Sequence, residues 1–243
     1  MAPPPLPLPL NKTLDPADRV RLARAVSIVE TIPDVLAGQH PQRWWEYAMA
    51  IEAFLQWREG AWGRSVDRRD LKMLDVGGAG SNFHRVLDSQ TDLGIHLIDP
   101  ALDSTQPWPD ARTAPVPLTL QDYTTKFGVL LAGSIHVITC ISTIEHVPAA
   151  DVRPLLRAAA TLLEPGGLLF LTMDYWAAEG PDTAHYHWMR ERIYNLREIR
   201  LLQKMAREEG FAVCGRSDWT YHGPQVFDYT FAALALERQT PIG

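Results

Sequence analysis

Apolar positions along the chain change their period near residue 71. Before that point they recur at helical spacing. Asp15-Pro16, with Asp18 in the following turn, predicts a helix through Val20, Leu22, Ala25, Val26 and Val29 that Pro33 ends. A second helix is predicted from near Pro41 through WWEYAMAIEAFLQW, with Trp44, Ala48, Ile51 and Leu55 on a broad buried face. From residue 71 short apolar runs alternate with helical stretches, the pattern of βαβ units around a mostly parallel sheet. The runs are KMLDV, GIHLID, APVPLTL, IHVITCIS and GLLFLTM. Between the last two lies PAADVRPLLRAAATLL, a helix expected to stop at Pro165-Gly166-Gly167. Asn195 and Glu198 form a capping box for a helix that Gly210 closes. FAVCGRSDW and DYTFAALALE follow, joined by a turn at His222-Gly223-Pro224, so they are expected to pair antiparallel at the sheet edge.

Three segments are expected: a disordered proline-rich tail over residues 1–14, a helical extension over 15–66 that could serve as a lid, and an α/β domain over 67–243. The start MAPPPLPLPL has no basic region and its prolines break a continuous helix, so it reads as a polyproline II tail rather than a signal segment. A ligand for a proline-recognition domain is the alternative. Trp44, Trp45, Trp57 and Trp62 read as packing residues that seat the extension on the core, or as cover for a ligand.

Charge narrows the partners. Lys and Arg total 23 against 29 Asp and Glu, a formal net charge of −6 that gives no general attraction to a phosphate backbone or an anionic membrane. Cys140 and Cys214 lack CxxC spacing, which suggests free thiols in a reducing compartment. No apolar run approaches the ~20 residues needed to cross a bilayer. A cytoplasmic protein is expected.

The candidate chemistry begins at LKMLDVGGAGSNFHRVL, residues 71–87. A glycine turn between strand and helix lets a ligand approach backbone amides and the helix N-terminus, which suits dinucleotides, nucleotides and S-adenosylmethionine alike. The dinucleotide pattern fails, because Phe83 stands where a third glycine is needed when counting from Gly78. A P-loop fails for want of a lysine after the turn. Asp75 would repel a pyrophosphate but suits a ligand that carries an ammonium and a sulfonium. Asp99, at the end of the second predicted strand, can accept from ribose hydroxyls, and Asp122 with Tyr123, beyond the third, can meet an adenine.

With LDVGGAGS, LID, CISTIEHVP and LLEPGGLLFLT in this order, residues 71 to 237 resemble the class I S-adenosylmethionine-dependent methyltransferases. The resemblance implies a Rossmann-like α/β fold with a seven-strand, mostly parallel sheet whose last strand is antiparallel. It implies that Asp75, Gly77, Gly78, Ala79 and Gly80 hold the methionine part of S-adenosylmethionine, Asp99 the ribose and Asp122 the adenine. Pro100, Tyr123 and Ser142 are assigned to the same cofactor site. The usual D-x-G-x-G-x-G appears here as Asp75, Gly77, Ala79 and Ser81, with Gly78 and Gly80 between.

Glu145 and His146 follow the fourth predicted strand, at the edge where the family presents substrate-facing groups. His146 is the candidate base or acceptor-orienting residue; a structural histidine at the next helix start is the alternative. The segment after the fifth strand, DYWAAEGPDTAHYHWMRERIY, is long for a βα loop and rich in aromatics. Tyr175, Trp176, His185, Tyr186, His187 and Trp188 are candidates for a pocket wall, and Arg190 or Arg192 for an anionic group. His185 and His187 form an H-x-H pair without a clear carboxylate partner, so no metal site is assigned. The leading reading is methylation of a small molecule or sugar-like metabolite on oxygen or nitrogen. An RNA or protein acceptor, hinted at by Arg58, Arg64, Arg68 and Arg69, and a noncatalytic cofactor-binding module are the alternatives.

Overall fold

The computed structural model describes residues 8–60, 63–103, 112–177, 192–225 and 229–240. His185, Tyr186, His187, Trp188, Arg190 and Trp62 lie outside these residues. The chain builds β1 (Asn11–Thr13), α1 (Asp18–Arg21), α2 (Ala23–Glu30), α3 (Arg43–Glu59), β2 (Met73–Val76), α4 (Phe83–Asp88), β3 (Ile95–Ile98), β4 (Thr113–Val116), α5 (Leu120–Leu131) and β5 (Ile135–Cys140). It continues with α6 (Ala149–Leu162), β6 (Leu163–Tyr175), α7 (Leu196–Glu208), β7 (Phe211–Val213), β8 (Ser217–Asp218) and β9 (Thr230–Arg238).

These strands form one sheet in the order β4-β3-β2-β5-β6-β9-β1-β8, with β7 also on β9. Strands β2 to β6 pair in parallel, and β9 runs antiparallel to both β6 and β7. The expected seven strands are all present and two short ones are added. One addition corrects the tail: Asn11–Thr13 is a buried strand, not part of a disordered segment. The Asn11 side chain holds it there, donating to Cys214 O at 2.6 Å and accepting from Ala235 N at 2.9 Å. The other arises because FAVCGRSDW is not one strand. Gly215, at φ +73°, turns the chain so that β8 pairs with β1 rather than β9.

Period-two alternation sends the sheet's residues into two cores. Leu168, Phe170, Ala233 and Ala235 pack with α2 and α3, whereas Leu169, Leu171, Leu234 and Leu236 pack with α6 and α7. The result is three layers, with the extension as one of them. The first predicted helix is broken into α1 and α2 at Leu22. Helix α3 is buried on more than the expected face, since Trp45, Tyr47, Met49, Ala50, Ala53 and Phe54 join Ala48 and Ile51 in the core. The tryptophans pack and anchor: Trp45 Nε1 donates to Asp18 Oδ2 at 2.8 Å, and Trp57 Nε1 to Gly166 O at 2.8 Å. The predicted capping box at Asn195 and Glu198 forms. Among the described residues no helix is long and apolar enough to cross a membrane.

Candidate functional site

After β2 the chain turns at Gly77, φ +80°, into a single 3-10 turn over Gly78–Gly80. A Cβ on Gly77 would lie 2.1 Å from the Thr143 side chain, and one on Gly78 would lie 2.2 Å from Leu97 Cδ1. Both glycines are therefore required by packing. Gly80 differs, because a Cβ there meets nothing within 4 Å. The turn is tied to the end of β3, where Asp99 Oδ2 accepts from Ala79 N at 3.0 Å and Oδ1 from Ala101 N at 2.8 Å. Asp75 lies beneath the turn, 1% exposed, with Oδ1 accepting from Thr139 Oγ1 at 2.7 Å and Oδ2 without a partner. Burial pushes its carboxyl up to about 7.

Strand β5 delivers the opposite wall. Ser142, at φ +43°, is a non-glycine residue in the left-handed region, a strained conformation that clusters at functional sites. Thr143 packs against Gly77 and donates to Ile141 O at 2.9 Å. A 3-10 turn over Ile144–His146 then leaves His146 exposed, its backbone N–H bonded to Thr143 O.

The third wall comes from the extension. Gln39 Nε2 donates to Gly80 O at 3.1 Å, and Tyr47 Oη bonds Ser81 Oγ at 2.8 Å while accepting from Asn82 N at 3.3 Å. Arg43 reaches the same place, its guanidinium 5.6 Å from the Phe231 ring centroid and paired with Glu46. None of these was singled out from the sequence. The usable signal was Arg43 and Glu46, one helical turn apart and interleaved with Trp44, Trp45 and Tyr47, since charges that are buried need partners.

Together the three walls enclose a cavity of ≈ 510 Å³, within the range of small-molecule sites. Of the expected residues, Gly77, Gly80, Asp99, Pro100, Ser142 and His146 line it. Leu118, Thr119, Gln121, Leu155, Gln39 and Arg43 line it too. Asp122 and Tyr123 do not. The Asp122 carboxylate accepts from Thr119 Oγ1 at 2.8 Å at the start of α5, where helix capping engages it. Tyr123 is buried, bonds His96 Nδ1 at 2.7 Å and faces a smaller cavity beside Met73, Ile95 and Ile135, at the strands' N-terminal ends.

Glu145, Tyr175, Trp176 and Arg192 also lie off the cavity wall. Glu145 is 2% exposed, its Oε2 has no partner, and burial with the neighbouring Asp174 carboxylate raises its carboxyl well above the usual range. Tyr175 packs in the core beside Tyr221, 6.4 Å between ring centroids, and Trp176 packs on the other core. Arg192 is engaged with Glu198 at 3.0 Å and lies 5.1 Å over the Tyr194 ring. Among the described residues no group of three or more His, Cys, Asp or Glu could hold a metal.

A mostly parallel sheet with a glycine turn after β2 and an acid at the end of β3 defines a class: Rossmann-like proteins that bind a nucleoside-bearing ligand at the C-terminal ends of the strands. The orphaned, fully buried Asp75 oxygen under the turn fits a cationic ligand, and the open face of Gly80 gives that ligand room. Residues 44–214 match the family model described as Methyltransferase domain. The chain belongs to that family. A segment of 41 residues, 17% of this chain, is 51% identical to 16% of the ubiquinone biosynthesis O-methyltransferase of Xanthomonas axonopodis pv. citri (strain 306). The fold is similar to that of the Burkholderia thailandensis 1,6-didemethyltoxoflavin-N1-methyltransferase with bound 1,6-didemethyltoxoflavin and S-adenosylhomocysteine, at TM-score 0.54 and 15% identity over 98% of this chain and 95% of that one. It is likewise similar to the [4+2]-cyclase SpnF, at TM-score 0.57 and 15% identity over 89% and 94% of the two chains.

Proposed function

We propose that the protein transfers the methyl group of S-adenosylmethionine to oxygen or nitrogen of a small-molecule acceptor. The observation that carries this reading is the cavity itself, where the glycine turn, Asp99 and His146 share one space with Arg43 of the extension. Asp99 would take the ribose hydroxyls and the Gly77–Gly80 turn the methionine part, with Asp75 supplying negative field from below. Arg43 would pair with the methionine carboxylate, a geometry its planar fork favours. Leu118, Thr119 and Gln121, rather than Asp122, would flank the adenine. The bound cofactor supplies an already activated methyl group, so the chain's task is alignment and, for an alcohol acceptor, removal of a proton. His146, exposed at the cavity wall, is the residue for that proton.

The arginines that hinted at nucleic acid are engaged within the chain. Arg69 pairs with Asp67 at 2.9 Å, Arg68 lies 3.6 Å from Asp92, and Arg58 donates to Gly63 O and Val66 O. This favours a small acceptor, as does the substrate in the name of the Burkholderia methyltransferase. A radiolabelled methyl-transfer screen against fractionated metabolites and macromolecules tests the reading. Label is expected in a small-molecule fraction. Label in RNA or protein overturns the acceptor class, and cofactor binding without transfer to any fraction points to a noncatalytic module.

A further inference from the structure

Glu46 lies in the first turn of α3 with no exposure, where an unpaired carboxylate would be strongly disfavoured. Two of its hydrogen-bond partners, Arg43 and Ser142, line the cavity. Its Oε1 accepts from Ser142 Oγ at 2.6 Å and from Thr172 Oγ1, and its Oε2 pairs with Arg43 Nη1. Thr172 Oγ1 in turn accepts from the Ser142 backbone N–H at 2.9 Å. A closed ring results: Ser142 N–H to Thr172 hydroxyl, Thr172 hydroxyl to Glu46, Ser142 hydroxyl to Glu46. The residue held at both its backbone and its side chain is Ser142, the one in the left-handed conformation on the cavity wall. The residue held by the other oxygen is Arg43, also on that wall.

From this geometry we propose that Glu46 is a positioning residue for cofactor binding. One carboxylate fixes the strained turn after β5 through Oε1 and aims the Arg43 guanidinium through Oε2, so the extension completes the site rather than merely covering it. The inference rests on the methyltransferase reading, since Arg43 and Ser142 matter here as cofactor contacts. It also accounts for a charge in the core: hydrophobic replacement could fill the space in α3 but could neither accept from two hydroxyls nor orient a cation.

The two arms can be separated. Glu46→Gln keeps an acceptor for the ring but turns an amide toward Arg43, so it releases the guanidinium while preserving the turn. Thr172→Val keeps the shape of that side chain and removes the link between the Ser142 N–H and Glu46. Calorimetric titration of each full-length variant with S-adenosylhomocysteine, alongside thermal melts, is the test. Glu46→Gln is expected to weaken binding about tenfold or more, the loss that follows when a charged hydrogen bond no longer orients its partner. With a saturable acceptor its KM for S-adenosylmethionine should rise more than kcat falls, a split that a simple loss of folded protein does not produce. Affinity within twofold of the unaltered protein overturns the proposal. If Glu46→Gln fails to fold, Thr172→Val decides by the same criterion: weaker binding supports the ring's role and unchanged binding overturns it. Absence of binding by the unaltered protein overturns the methyltransferase reading and this inference with it, whereas binding that Glu46→Gln matches overturns the inference alone.

Discussion

The backbone N–H of Ala79 donates to Asp99 Oδ2 at 3.0 Å, joining the glycine turn to the acid at the end of the next strand. Asp99 therefore has two tasks, bracing the turn and presenting a carboxylate to the cavity. Asp99→Ala should weaken S-adenosylhomocysteine binding by roughly 1.5–3 kcal/mol, the scale of hydrogen bonds to a charged group. Asp99→Asn, which retains an acceptor for Ala79, should fall between alanine and the unaltered protein. Calorimetry that ranks the two variants equally would mean that the charge, and not the brace, sets affinity.

The glycines of the turn should divide by mechanism. Gly77→Ala meets Thr143 at 2.1 Å and must hold φ +80°, so it strains the backbone and displaces the β5 turn at once. A loss of stability of about 1–3 kcal/mol or more is expected in thermal melts without ligand. Gly80→Ala meets nothing within 4 Å and should fold with an unchanged melting temperature. Because Gly80 lines the cavity, S-adenosylhomocysteine affinity is expected to drop instead. A Gly80→Ala variant with full affinity would place the ligand elsewhere on the wall.

Which parts of this site were legible in the sequence follows from distance along the chain. Asp75 lies near the end of β2, Gly77, Gly80, Asp99 and His146 follow strands, and period-two runs such as KMLDV and IHVITCIS mark where strands stop. Beyond β4 the cavity is lined by Leu118, Thr119 and Gln121, a few residues before Asp122. Pro115 stays in the edge strand β4, so the chain leaves the sheet before Leu118, and Asp122 falls inside helix α5, capped by Thr119. Gln39, Arg43 and Glu46 could not be read locally, since they arrive from α3 and the loop before it, whose docking depends on Tyr47 meeting Ser81 and Glu46 meeting Ser142. Strand β1 was hidden for a similar reason: Asn11–Thr13 has no apolar alternation, and side-chain bonds from Asn11 hold it in the sheet.

Burial pushes the Asp75 carboxyl up to about 7 against an ordinary value of 3.8, the Thr139 hydroxyl opposing the shift and the Asp99 carboxylate adding to it. Between those two values the folded protein keeps a proton that the unfolded chain has lost. Folding stability should therefore fall as pH rises through this window and level off above about 7, the sign expected for an acid raised in the native state. Asp75→Asn stays neutral throughout and removes that slope. Its ligand-free melting temperature should exceed that of the unaltered protein near pH 8 by an amount reflecting a few kcal/mol, and the gap should close toward pH 4. The same variant should bind S-adenosylmethionine less well above neutrality, where it lacks the negative charge under the turn. Parallel melting curves at every pH would show that Asp75 does not carry this proton.

His146 lies exposed on the cavity wall, and the hydrogen bond that shapes its turn runs from its backbone N–H to Thr143 O, which no side-chain change removes. As a substitution at an exposed position, His146→Ala is expected to change stability by no more than about 0.5 kcal/mol. S-adenosylhomocysteine affinity should also hold, because the proposed cofactor contacts lie on the turn, Asp99 and Arg43. If the acceptor is an alcohol, kcat should drop by about 10²–10⁴-fold for want of a proton acceptor. His146→Gln separates removing the proton from orienting the acceptor, since glutamine still offers hydrogen bonds but no base. Equal losses in both variants assign His146 to proton removal, and recovery with glutamine assigns it to orientation. Full activity in both would leave alignment alone to drive the transfer, as expected for an amine acceptor that enters the site already deprotonated.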